Sequence, residues 1–196
     1  MFNKFKPTWV IESIYDLQPA ELKARGIKVV LTDLDNTLIA WNNPLGTPQL
    51  REWLEVMKKA ELPVVVVSNN NHQRVKKAVA PFGLPFISRA LKPLGRGIKL
   101  AKKQFDVQDS ELVLVGDQLL TDIAAANHTN IRSILVKPIV QTDAWNTRIN
   151  RGIEKIVKKQ LLKQGDLKES WGHTLNDWIK WSFILYWLWG KDSNRG

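Results

Sequence analysis

The feature that most constrains this chain is a series of five short apolar runs, at residues 27–32 (IKVVLT), 63–67 (PVVVV), 85–88 (PFIS), 111–115 (ELVLV) and 131–136 (IRSILV). Nearly continuous, β-branched runs of this length suit parallel strands covered on both faces. Helix-like segments at 48–60, 72–82, 94–105 and 119–127 separate them, so the order alternates strand and helix throughout. That alternation predicts an α/β, Rossmann-like core: a five-stranded parallel sheet flanked by helices, joined by right-handed crossovers. Ligands in such a sheet bind beyond the carboxyl ends of the strands.

Four polar clusters follow the first four runs. The first is Asp33-Leu34-Asp35-Asn36-Thr37-Leu38. Carboxylates two apart at a strand end can project to one side, where one can attack phosphorus and bind a cation while the other moves protons. The second, Ser68-Asn69-Asn70-Asn71, sets a hydroxyl and free backbone amides at a helix start, a ready phosphate seat. The third is Lys92, a cation able to offset carboxylate and phosphate charge. The fourth, Gly116-Asp117-Gln118-Leu119-Leu120-Thr121-Asp122, offers two acids at a loop–helix junction, suited to a hard divalent ion such as Mg2+. Each cluster alone also reads as a turn, a helix cap or a surface lysine. Together, in order and at successive strand ends, they converge on one rim.

With these motifs in view, the sequence resembles the haloacid dehalogenase superfamily, through DLDNT at 33–37, SNN at 68–70, Lys92 and GDQLLTD at 116–122. It is more closely similar to the YqeG family of subfamily IIIA phosphatases, through SIYDL at 13–17, the GIK lead into the first run, Trp41 after DLDNTL, and LKP at 91–93. The resemblance implies an Mg2+-dependent phosphomonoester hydrolase. By it Asp33 is the nucleophile that becomes an aspartyl-phosphate, Asp35 the general acid and base, and Lys92 a third catalytic group. Thr37, Ser68, Asn69 and Lys92 would hold substrate; Asp33, the carbonyl of Asp35, and Asp117 would bind Mg2+, with Asp122 supporting the site. Asn127-His128-Thr129-Asn130 departs from the family's glycine turn, but asparagine tolerates a left-handed backbone.

Composition limits the rest. At 196 residues the chain holds one domain and an appendage, divided here as 1–140 for the core and 141–196 for the remainder. It has no cysteine, which excludes disulfides, zinc–thiolate sites and iron–sulfur clusters. No secretory leader or apolar run of about 18 residues is visible, so neither export nor a membrane span is expected and a cytoplasmic setting fits. The formal charge of +10 is compatible with nucleic acid, an acidic bilayer surface, phosphorylated substrates or a merely well-solvated surface.

Only about ten residues separate Leu38 from the next helix, and the third run leads almost directly to Lys92, leaving no room for a cap domain. An uncovered site suits a substrate whose bulk stays outside, such as a lipid headgroup, a protein or a nucleic acid. Residues 142–163 read as a basic amphipathic helix, with Trp145, Ile149, Ile153, Ile156, Val157 and Leu161 on its apolar side and Thr142 or Asp143 as cap. After a break near Gly165, Thr174–Trp189 reads as a tryptophan-rich helix too short to span a bilayer but able to lie at its interface, or to pack on the core. The YqeG family is similar to the mitochondrial phosphatidylglycerophosphate phosphatases, so that lipid is the expected substrate, with peripheral membrane contact through the tail. Soluble phosphomonoesters, phosphoproteins, or an RNA- or ribosome-binding role with a vestigial site are the alternatives.

Overall fold

Among the described residues six parallel strands carry the fold, one more than the five expected. A computed structural model of the protein describes residues 2–41, 43, 45–140, 148–167 and 170–175. Along the chain these form β1 (Trp9–Ile11), α1 (Pro19–Ala24), β2 (Val29–Thr32), α2 (Pro48–Lys59), β3 (Val64–Val67), α3 (His72–Val79), β4 (Phe86–Ile87), α4 (Arg96–Phe105), β5 (Leu112–Gly116), α5 (Ala124–His128), β6 (Arg132–Val136) and α6 (Arg148–Lys163). The sheet order is β1-β6-β5-β2-β3-β4, with every neighbour parallel.

The unforeseen strand is β1. Three residues are too few to show a period, so its strand character comes from the edge it joins. Trp9 pairs with Ile134 and Ile11 with Val136. Thr8 and Ser133 fasten its start, the Thr8 amide donating to Ser133 Oγ at 3.2 Å and the Ser133 amide to Thr8 Oγ1 at 3.0 Å.

The other strands bury both faces, as near-continuous apolar runs require. Val30, Val64, Val66, Val113 and Val115 face a core with Leu50, Trp53 and Met57 of α2 and Val75 and Val79 of α3. Their alternates Val29, Leu31, Val65, Val67, Leu112 and Leu114 face Ile98 and Ala101 of α4 and Ala125 and Ala126 of α5. Local chemistry starts the helices where the strands need them. Thr47 Oγ1 accepts the Leu50 amide at 3.2 Å, with Pro48 next in line, and Asn71 Oδ1 accepts the Arg74 amide at 2.9 Å. Asn130 adopts the expected left-handed backbone, with φ of 58°.

The appendage lies against the β6 side. Val157 and Leu161 of α6 are buried with Leu119, Ile123 and Leu135. Ile153 and Ile156 are exposed, which corrects the expected apolar stripe: the buried face of α6 turns on Val157 and Leu161, and Glu154 on that side accepts the Leu119 amide. Trp171 packs on the same cluster with Lys137 and Lys158 over its ring. Beyond it Gly172 bridges to Ile11, its carbonyl accepting the Glu12 amide at 2.7 Å, and Leu175 is fully buried. The tail therefore begins by extending the sheet edge. Residues 176–189, Trp145, and the cap at Thr142 or Asp143 lie outside the described residues. Among the described residues no helix is long and apolar enough to cross a membrane.

Candidate active site

From β2 the chain moves outward through β3 to β4, then returns through α4 to lay β5 on the other side of β2. This reversal opens a crevice at the carboxyl ends of β2 and β5, where ligands bind in sheets of this kind. Asp33 follows β2 directly, and its amide donates to the Val115 carbonyl at 2.9 Å. The β2–β5 pairing thus continues one residue beyond Thr32↔Val115 and brings Asp33 beside Gly116 and Asp117.

A tight loop then returns the chain. Asn36 is left-handed, with φ of 63°, and its amide donates to the Ile39 carbonyl at 2.7 Å, while the Ile39 amide donates to the Leu34 carbonyl at 3.0 Å. Thr37 is buried at the turn, and its hydroxyl donates to Asp117 Oδ1 at 2.9 Å. Thr37, expected to hold substrate, aims the Asp117 carboxylate through this bond.

Lys92 reaches the same crevice from beyond β4. The side chain of Asn69 holds its backbone on both sides, Oδ1 accepting the Lys92 amide at 2.8 Å and Nδ2 donating to the Lys92 carbonyl at 3.0 Å. The ammonium donates to Asp33 Oδ1 at 2.5 Å and Asp122 Oδ1 at 2.7 Å. Burial works against that charge, but the Asp122 and Asp33 carboxylates outweigh it and hold the lysine above its ordinary range.

Asp33, Asp117 and Asp122 each offer an oxygen, all within 4.8 Å of one another. Burial first, then the charges of Asp122 and Asp33, push Asp117 well above the usual carboxylate range. Asp122 is raised to about 6, again chiefly by burial, which the Lys92 ammonium opposes. One lysine thus holds two of the three clustered acids, Asp33 and Asp122, and burial disfavours ionisation of Asp117 and Asp122 unless a further positive charge arrives. A divalent cation with a preference for oxygen fits that deficit. Gly116 makes the cluster possible, because a Cβ there would stand 2.3 Å from Asp122 Cβ and Cγ.

Asp35 stands apart from that group. Its Oδ2 accepts from Asn70 Nδ2 at 2.7 Å, and its Oδ1 from Arg74 Nη2 at 2.8 Å. Burial raises its pKa, opposed mainly by Arg74 and reinforced by Asp33. Ser68, buried at the end of β3, takes the Asn70 amide and Nδ2 on Oγ, each at 3.2 Å. The structure thus gathers Asp33, Lys92, Asp117, Asp122 and Thr37 on one side and Asp35, Ser68 and Asn70 on the other. Arg74 was not singled out from sequence, and Asn70 entered only as part of the Ser68 cluster, without a role of its own. Their four-residue spacing across the start of α3, next to the Ser68 cluster, is the signal that would have found them.

The haloacid dehalogenase-like hydrolase family matches residues 2–129. The "Probable phosphatase YqeG" of Bacillus subtilis (strain 168) is 40% identical over 164 residues, spanning 84% of this chain and 95% of that protein. "Phosphatidylglycerophosphate phosphatase 1, chloroplastic/mitochondrial" of Arabidopsis thaliana is 29% identical over 155 residues, spanning 74% of this chain but 44% of that protein. A solved structure 12% identical, aligned over 87% of this chain and 100% of its own, gives a TM-score of 0.53 and shares the fold alone. With its aspartates gathered at the switch of a parallel sheet, this chain belongs to the haloacid dehalogenase-like hydrolases, and among them to the family of YqeG.

Proposed function

We propose that this chain is an Mg2+-dependent phosphomonoester hydrolase acting through an aspartyl-phosphate on Asp33, with phosphatidylglycerophosphate at a membrane surface as its substrate. The observation that carries the chemistry is the opposed arrangement of Asp33 and Asp35. Asp33 belongs to the group of three carboxylates beside Lys92; Asp35, two residues on, faces Asn70 and Arg74 instead. Two acids in different surroundings suit two different roles.

Asp33, Asp117 and Asp122 would hold or support Mg2+, which when bound would neutralise charge on the transferred phosphoryl group. An oxygen of Asp33 attacks phosphorus, forming an acyl-phosphate and breaking the ester bond. Asp35, its proton favoured by burial, gives that proton to the departing alkoxide. The resulting Asp35 carboxylate then takes a proton from water, the hydroxide attacks phosphorus, and the bond to Asp33 breaks to release phosphate. Lys92 offsets the negative charge gathered at Asp33, and Ser68 with the Asn69 amide seats the phosphoryl oxygens. Among the described residues the backbone N–H groups of Leu34, Asp35 and Asn69 have no protein acceptor, which suits them to that seat.

The lipid is supported by the name of the plant relative and by the open rim. The chain passes from Ile39 to α2 at Pro48, and from Ile87 to Lys92, without an inserted domain. In the decisive assay, phosphate release is followed with Mg2+ on phosphatidylglycerophosphate in vesicles beside nucleotides, sugar phosphates and phosphopeptides. Release from the vesicle lipid by the native chain, absent in Asp33→Asn, is expected. Release confined to soluble esters would remove the lipid, and none from any substrate would remove the phosphatase.

A further inference from the structure

The side of the site facing Asp35 carries a cation, Arg74, to which the proposed steps assign no direct part. Arg74 sits in the first turn of α3, half exposed, with Nη2 on Asp35 Oδ1 at 2.8 Å and Nη1 on Asn70 Oδ1 at 3.4 Å. In the proposed reaction the departing oxygen must come within hydrogen-bond distance of Asp35. Whatever is attached to that oxygen then lies within reach of the Arg74 guanidinium, whose remaining donors open to solvent.

The surrounding charge points the same way. Between Leu62 and Phe105 the chain carries nine lysines and arginines and no aspartate or glutamate. Of these, Arg74, Lys76 and Lys77 stand exposed on α3, across the sheet from α4, while Lys92 is buried on Asp33 and Asp122. The Arg89 amide donates to the Asn70 carbonyl at 2.9 Å, bringing a second exposed arginine next to the same turn. A neutral leaving alcohol would gain nothing from this concentration of like charge, whereas an anion there relieves it.

We infer that Arg74 recognises a second anionic group, carried on the leaving alcohol, so that the preferred substrates are phosphomonoesters whose leaving group bears a further phosphate or phosphodiester. Guanidinium suits this task because its planar fork pairs with two phosphate oxygens at once. The inference rests on the phosphatase reading and adds to it the residue that reads the charge on the leaving group, Arg74. It also gives the Arg74–Asp35 ion pair a second meaning: in the free protein Asp35 occupies part of the guanidinium, and a bound anion shares it.

The test uses two soluble esters that differ in one feature: 3-hydroxypropyl phosphate and the same ester with a methyl phosphodiester on its free hydroxyl. With Mg2+ present, kcat and KM are measured for both on the native chain, Arg74→Ala and Arg74→Lys. The native chain prefers the charged ester. Arg74→Ala lowers turnover of both esters by loosening Asp35, but the preference itself falls roughly tenfold or more, mainly through KM. Arg74→Lys restores part of the preference, and raising salt weakens it, as expected of a half-exposed ion pair. The same headgroup placed on a lipid in phosphatidylcholine vesicles separates the sources of the anion: a preference carried by Arg74 in either setting supports the inference and assigns the source. Equal losses on both esters would reduce Arg74 to a brace for Asp35 and overturn it. An active native chain with no preference for the charged ester would also overturn it while leaving the phosphatase intact; a native chain inactive on every ester would remove both.

Discussion

Lys92 and Asp122, thirty residues apart in sequence, form an ion pair of 2.7 Å in which the two side chains are only 3% and 1% exposed. The same ammonium holds Asp33 at 2.5 Å, so one buried cation ties the acid after β2 to the acid at the start of the segment leading into α5. A buried pair of this kind costs desolvation to form, and removing one partner leaves the other uncompensated.

Lys92→Met is therefore expected to lose phosphatase activity and to destabilise the fold by about 3–5 kcal/mol, the usual cost of stranding a buried charge. Adding Asp122→Asn to Lys92→Met should recover part of that stability but none of the activity. Urea denaturation of the single and double variants, beside phosphate release, checks both halves. A double variant no more stable than Lys92→Met would show that the pair is not what holds this corner.

Gly116→Ala tests the close approach of β5 to Asp122. The new methyl would stand 2.3 Å from Asp122 Cβ and 2.4 Å from its Oδ2, so either the strand end or the carboxylate must move. Overpacking of this sort costs about 1–3 kcal/mol. Displacing Asp122 should also weaken Mg2+ binding, read as a smaller Mg2+-induced rise in melting temperature. Gly152→Ala is the contrast: nothing lies within 4 Å of the added methyl, and the α6 interior should gain about 0.5–1 kcal/mol. Similar melting temperatures for the two variants would refute the steric account.

The response to Mg2+ should depend on pH. Asp122 is raised in the folded protein from 3.8 to about 6, and Asp117 is raised as well. Between these limits the folded state holds more protons at Asp122 than the unfolded chain, so in EDTA the contribution of Asp122 to stability falls as pH rises from about 4 to about 6, and Asp117 acts in the same direction. A divalent ion binds the ionised acids and reverses that loss. The difference in melting temperature between Mg2+ and EDTA is therefore expected to grow from pH 5 to pH 8. An equal difference at both values would mean that these carboxylates are not the metal site.

Much of the fold was legible because its signals are local. Each central strand is a β-branched run, and Asp33, Ser68 and Asp117 each directly follow a strand end, so alternation pointed them to one rim, while Lys92 lies five residues beyond β4. β1 escaped because three residues carry no period, and its pairing exists only once β6 offers an edge. The face of α6 escaped for a related reason: several apolar stripes fit its sequence, and contact with Leu119, Ile123 and Leu135 chose the one containing Val157 and Leu161.

By itself, then, the sequence determined the parallel α/β order, which polar residues follow the strand ends, and the family, since strand and helix periods and short motifs are written in neighbouring residues. The tertiary structure alone decided that Lys92 joins Asp33 to Asp122, that Thr37 aims Asp117, and that Asp35 turns to Asn70 and Arg74. Those choices depend on directions and distances between chain segments dozens of residues apart, and these become fixed only when the sheet is assembled and both its faces are covered.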